Sequence, residues 1–151
     1  MEVFFTMKLS TRSRYGTRMV LDIVMHGENG PVPIQEISKR RKLSVKYLEK
    51  LIRPLKQSGL VRSKRGPKGG HMLTREPGEI TVGEVVRILE GNFGLCDCVK
   101  DPAVCPISED CVTRALWTDA AEGMYERLDA ITFAELAARA RPMESKGLPC
   151  C

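Results

Sequence analysis

The sequence has no run approaching the ~18 uninterrupted apolar residues of a transmembrane helix, so a membrane span is not expected. Residues 1–6 are too short for a secretory signal and lack its basic start, so an exported form is not expected either. Histidine is scarce: His26 and His71 are the only two, and neither is obviously poised beside a cysteine. Both read as surface or capping residues rather than ligands. No phosphate-cradling loop and no catalytic carboxylate pair stands out, so the chain is not expected to be an enzyme. A cytoplasmic, non-catalytic protein is the expectation.

What is present is ordinary in bulk and uneven in detail. The 151 residues are 42% hydrophobic and 28% charged, globular values that argue against disorder. One domain of this length buries enough surface to need no disulfide staples. The net charge of +5 hides an asymmetry. Between Ser38 and Lys68 stand twelve Lys or Arg against Glu49 alone, while acids outnumber bases elsewhere. A basic segment on an acidic body is the electrostatic footprint of a nucleic-acid surface, because each neutralised phosphate releases counterions. A solvated basic face is the plainer explanation.

Hydrophobic spacing predicts helices over residues 10–26, Ile34 to about Arg41, and from Ser44 as N-cap to Gly59. The third carries one apolar stripe, Val45, Leu48, Leu51, Ile52 and Leu55, with a kink or weakened turn expected at Pro54. Its other face shows Lys46, Tyr47, Glu49, Lys50, Arg53 and Lys56. A short strand, Leu60 to Lys64, is followed by a glycine-rich tip and a return through His71-Met72-Leu73. Thr81-Val82-Gly83-Glu84 reads as a capping box opening a helix through Leu89. Residues 94–111 lack periodicity and read as a loop. A long helix from about Val112 carries a seam of Ala115, Leu116, Met124, Leu128 and Ile131. Trp117 is expected in the core or at a subunit interface. A terminal helix opens at the Thr132–Glu135 capping box and runs to about Arg139.

Two short helices, a third with a basic face, and a hairpin behind it make a winged helix-turn-helix. Such a third helix fills a major groove, its first turn meeting base edges. Ser44, Lys46 and Tyr47 occupy that turn, with Lys50 and Arg53 beyond. Glu49, the lone acid, either accepts a hydrogen bond from cytosine N4 or pairs with Lys46, Lys50 or Arg53. Arg65 and Lys68 at the hairpin tip can reach phosphates or a minor groove.

These residues resemble the IscR/NsrR/CymR family of bacterial winged-helix transcription regulators. The resemblance covers Met7 to about Ala137. It rests on Met7-Lys8-Leu9-Ser10 with Arg14-Tyr15, Gly30-Pro31-Val32-Pro33, Ser44-Val45-Lys46-Tyr47-Leu48-Glu49 and Gly59-Leu60-Val61. Arg65-Gly66-Pro67 with Gly69-Gly70, Thr81-Val82-Gly83-Glu84-Val85 and Cys111 through Trp117 complete it. It implies a homodimer paired through the long helix and a partly palindromic double-stranded DNA operator. It matches Ser44, Lys46, Tyr47, Glu49 and Arg65 to the family's DNA contacts. The expected fold is mainly α with a small β wing: residues 1–6 an extension, 7–91 the winged domain, 92–111 the cysteine loop, 112–140 dimerisation and terminal helices, 141–151 a disordered tail. A repressor is the expected role.

Cys96, Cys98, Cys105 and Cys111 crowd into sixteen residues, while Cys150 and Cys151 lie in the tail and read as incidental. Clustered cysteines in a reducing compartment suggest metal or redox chemistry. Thiolates on a loop can converge on an iron–sulfur cluster, [2Fe-2S] or [4Fe-4S]. Zinc is the rival metal, although it favours shorter Cys pairs. A thiol switch and a basic iron–sulfur carrier that ignores DNA stay open as well. The resemblance implies Cys98, Cys105 and Cys111 as ligands. The family's histidine ligand falls on Arg114 and its acidic N-terminal ligand on Arg14, neither of which offers a lone pair. Cys96, a carboxylate among Asp97, Asp101, Glu109 and Asp110, or an open position remains for the fourth site.

Overall fold

A computed structural model describes residues 9–91 and 95–146. Among these, seven α-helices and one hairpin follow in order: α1 Thr11–His26, α2 Ile34–Arg41, α3 Val45–Gln57, β1 Val61–Lys64, β2 Gly70–Leu73, α4 Val82–Glu90, α5 Asp97–Lys100, α6 Val112–Asp129 and α7 Phe133–Ser145. The expected mainly helical winged architecture is the observed one.

Each early helix begins where a side chain can take an orphan N–H. The Ser10 hydroxyl accepts from Ser13 N–H at α1, and Ser44 accepts from Tyr47 N–H at α3. Lys42, left-handed at φ 53°, ends α2 and turns the chain into α3. The α3 stripe of Leu48, Leu51, Ile52 and Leu55 is withdrawn from water. It packs on Met19, Val20 and Ile23 of α1, Ile37 of α2 and Val85, Val86 and Leu89 of α4. Gly16 permits the α1–α4 approach, since a methyl there would lie 2.1 Å from Leu89 Cδ1. Helix α3 continues through Pro54 to Gln57, the Lys50 carbonyl forgoing the bond that Pro54 cannot donate.

The hairpin pairs Val61 with Leu73 through Lys64 with Gly70, antiparallel. His71 also exchanges backbone hydrogen bonds of 2.8 and 2.9 Å with Val32, tying the wing to the entry of α2.

Several boundaries differ from expectation. Thr81 caps α4, yet the Glu84 carboxylate turns to Arg75 instead of closing the box. The box at Thr132 and Glu135 does form. The stretch expected as a loop over 94–111 contains α5 and a single tight turn at Pro102–Val104. The terminal helix outlasts Arg139 and reaches Ser145, so residues 141–145 are not a disordered tail. Ala140 is buried against the core, and Arg141 reaches Glu28 at 2.5 Å, so tertiary contacts extend the helix. Residues 147–151, with Cys150 and Cys151, lie outside the described residues, as do residues 1–8.

The α6 seam splits. Leu128 and Ile131 pack against the chain's own core, helped by Phe133, which is fully buried. Leu116 and Trp117 stay 57% and 41% exposed, and Val112 is 83% exposed. The lower seam thus packs in part within the chain, and the upper part is open.

Candidate functional site

Helix α3 stands as a ridge with its charged face outward. Lys46, Glu49, Lys50, Arg53 and Lys56 are all exposed. Ser44 caps the helix with its oxygen while its hydroxyl proton remains free to donate. Tyr47 is half-buried, its ring edge-on to Tyr15 of α1 at 5.9 Å and 87°, which fixes its direction. The Arg18 and Arg14 guanidiniums lie 5.6 and 5.9 Å from the Tyr15 ring. Glu49 makes no ion pair among the described residues, so the intrahelical pairing with Lys46, Lys50 or Arg53 is not formed.

Two grooves flank the ridge. On the wing side, a groove of about 370 Å³ lies between Glu49, Arg53 and Lys56 of α3 and His71 of β2. On the other side, about 540 Å³ opens between Tyr47 and Lys50 of α3, Thr11 and Arg12 of α1, and the end of α4. At the wing tip Arg65 and Lys68 are exposed, and Gly66 (φ 115°) makes the turn that a side chain would strain.

Cys96, Cys98, Cys105 and Cys111 are all half-buried free thiols. Cys111 opens α6 and its sulfur lies 3.1 Å from the Thr113 hydroxyl. That hydroxyl, then the Arg114 backbone N–H, lowers the Cys111 thiol below its usual range. Burial, followed by the neighbouring Cys98, pushes the Cys96 thiol up. Arg114 staples the loop: Nε donates to the Cys98 carbonyl at 2.9 Å and Nη1 to the Ser108 carbonyl at 3.3 Å. The buried Ser108 hydroxyl in turn donates to the Pro102 carbonyl at 2.7 Å. Among the described residues no three His, Cys, Asp or Glu groups converge tightly enough to hold a metal ion.

Two contacts that organise these surfaces escape sequence reasoning. His71 joins the wing-side groove, and Arg114 closes the cysteine loop. Neither has a local signal, because each partner lies on another element.

The model of the Rrf2 family, described as an iron-dependent transcriptional regulator, matches residues 9–139. The chain belongs to the Rrf2 family. It is 48% identical over 130 residues to Protein rrf2 of Nitratidesulfovibrio vulgaris, covering 86% of this chain and 87% of that one. IscR of Cronobacter sakazakii, named an HTH-type transcriptional regulator, is 38% identical over 130 residues, 86% of this chain and 80% of that one. Among solved structures, T. potens IscR superposes with a TM-score of 0.72 at 37% identity, covering 88% of each chain. CymR of B. subtilis, titled the global cysteine regulator, also gives 0.72 at 34% identity, over 89% of this chain and 98% of that one. This Rrf2-family chain is thus a transcriptional regulator and not an enzyme. Among its described residues no helix is long and apolar enough to cross a membrane.

Proposed function

We propose that the chain is a homodimeric repressor whose grip on a DNA operator is set by an iron–sulfur cluster. The observation that carries the DNA half is the ridge of α3, capped by Ser44 and presenting Lys46, Tyr47, Glu49, Lys50 and Arg53 outward. Lys46 and Tyr47 sit in the first turn, where base edges are met. An unpaired Glu49 is suited to accept from cytosine N4. Arg65 and Lys68 extend the positive track to the wing. Exposed Leu116 and Trp117 on α6 supply an apolar face for a second copy.

For the cluster, the donor chemistry fits. Cys98, Cys105 and Cys111 are free thiols on one stapled loop, and thiolates are what iron–sulfur clusters take. When bound, the cluster would supply a centre that changes with redox state or iron supply. The loop must close to bring the three sulfurs together, since no three donors converge as they stand among the described residues. Arg114 contributes no ligand, and its guanidinium holds two loop carbonyls.

A thiol switch is the second reading. It is favoured by the likeness to CymR and by the unconverged donors. Iron and sulfide analysis with an absorption spectrum of anaerobically purified protein separates the two. Iron and sulfide bound to the chain, and lost in each of Cys98→Ala, Cys105→Ala and Cys111→Ala, supports the cluster. Metal-free protein that still binds DNA and changes affinity on oxidation supports the switch. A carrier that ignores DNA would show no linear fall of log affinity with log salt.

A further inference from the structure

The wing-side groove contains the one histidine of the DNA-facing surface, and the DNA-binding reading has not used it. The flank of α3 facing the wing carries Glu49, Arg53 and Lys56, spaced i, i+4, i+7 so that they share one line. His71 of β2 forms the opposite wall, and Ile34 and Ile52 line the groove with them. Two cations against one carboxylate leave the groove net positive. Glu49 lies toward the N-terminus of α3 and Lys56 toward its C-terminus, so the two cations stand together at the C-terminal end of the groove's α3 wall.

His71 is held from both sides. Its backbone is fixed to Val32 by two hydrogen bonds, and Ser63 Oγ lies 2.9 Å from Nδ1. Burial, then Lys56, pushes the imidazole below the usual histidine range, with Glu49 opposing. The ring is therefore neutral near pH 7. The charged groups that act on it come from α3, whereas β1 offers Ser63 and α2 offers apolar Ile34. Ser63 Oγ can donate to Nδ1, and in that tautomer the ring proton is on Nε2.

We infer that this groove seats a backbone phosphate of bound DNA, with His71 Nε2–H as a fixed neutral donor and Lys56 and Arg53 as the neutralising cations. The inference rests on the DNA-binding reading. A phosphate contact fixes register and carries no sequence information. The seat would clasp the strand between the recognition helix and the wing, on the track that Arg65 and Lys68 continue.

The seat is tested by binding to two labelled duplexes, one of random sequence and one selected in vitro for tight binding. Fluorescence anisotropy is followed across a salt series at pH 8. His71→Ala should weaken both duplexes by the same factor, roughly tenfold, as expected for loss of a hydrogen bond to a charged group. The slope of log affinity against log salt should stay unchanged, because no charge is lost. Lys56→Ala should lower that slope by about 0.9. His71→Gln, which keeps a neutral donor, should stay within about twofold of the parent. Unchanged binding by folded His71→Ala, or a loss confined to the selected duplex, overturns the seat. So does an unchanged slope for Lys56→Ala, an exposed substitution that decides the question if His71→Ala does not fold. Failure of the parent protein to bind either duplex overturns the DNA-binding reading itself, and the seat with it.

Discussion

Replacing Asp22 with alanine should be among the most damaging single changes in this chain. Asp22 lies in the middle of α1 and is 0% exposed. Its carboxylate accepts from Arg40 Nη2 at 2.7 Å and Nε at 3.1 Å, and from Arg41 Nε at 2.7 Å. His26 Nδ1 stands 3.6 Å from the same carboxylate. Arg41 is 8% exposed at its side chain, so one carboxylate balances two cations at the joint between α1 and α2. An intact buried ion pair adds little net stability, but removing one member costs about 3–5 kcal/mol because charge is stranded. Glu36 at 3.8 Å from Arg40 and Glu144 at 4.0 Å from Arg41 stand farther off than Asp22. Against a total stability of about 5–15 kcal/mol the loss is large. At about 2–4 °C per kcal/mol for this chain length, the melting temperature should fall by roughly 6–20 °C. Urea titration followed by circular dichroism measures it, and the midpoint should drop with little change in slope. Asp22→Asn keeps the shape and removes the charge, so it should lose most of the same energy. A double-mutant cycle of Asp22→Ala with Arg40→Ala should show a coupling well above the ~0.5 kcal/mol expected of independent sites. An Asp22→Ala protein within about 1 kcal/mol of the parent would refute the reasoning.

Lys46→Ala should weaken a selected duplex by more than a random one, by about 1–3 kcal/mol of discrimination, and equal losses would remove Lys46 from base readout. Leu116→Glu should yield monomers by analytical ultracentrifugation, with a thermal melt lowered by the lost dimer linkage and no longer dependent on protein concentration, because Leu116 is exposed and its loss opens no core defect; a dimer of unchanged affinity would place the subunit interface elsewhere. Asp129 is held below the usual carboxylate range by hydrogen bonds from Arg87, Nη1 and Nη2 each donating at 2.7 Å. A depressed folded value means its stabilisation is present above about pH 4 and fades as pH falls through the lower value. With the pair 46% and 39% exposed, solvent screening limits the gain to about 1 kcal/mol or less, and Asp129→Asn should flatten that part of the acid titration.

Local signals made most of α3 readable. Ser44, the apolar stripe and Gly59 all lie within or beside the element they define, and the structure uses each as its chemistry suggests. The contacts that escaped reading are those whose partners lie far along the chain. Asp22 meets Arg40 and Arg41 eighteen and nineteen residues on, and Arg114 meets the Cys98 carbonyl sixteen residues back. Periodicity carries no information about such pairings. The α6 seam was only half legible for a related reason. Spacing shows that Leu128 and Ile131 must be buried but not against which chain, and the fold brings Phe133 and α4 to meet them. The length of α7 likewise depended on Arg141 reaching Glu28, 113 residues away in sequence.

On the proposed reading, a change at the cysteine loop acts on α3 through side-chain contacts, and one chain of contacts near the loop ends at Tyr47. Helix α4 ends at Glu90, six residues before Cys96. The Glu90 carboxylate accepts from both the Ser10 and the Ser13 hydroxyls at the start of α1. Arg12 adds a bond from Nη1 to the Leu89 carbonyl at 3.4 Å. Two residues beyond Ser13, Tyr15 meets Tyr47 in the first turn of α3. The latch thus grips the helix that aims Tyr47, from a residue six before Cys96 in sequence. Glu90→Gln keeps the shape but weakens acceptance from two hydroxyls, because a neutral amide oxygen is a poorer acceptor than a carboxylate. The expected result is a reduced affinity ratio between the cysteine-modified and unmodified states, with a melting temperature within a few degrees of the parent. Coupling free energies between sites are typically about 1–3 kcal/mol, so halving one changes the ratio by about two- to twelvefold, within reach of anisotropy. A ratio identical to the parent's in a folded Glu90→Gln protein would exclude this latch as the route.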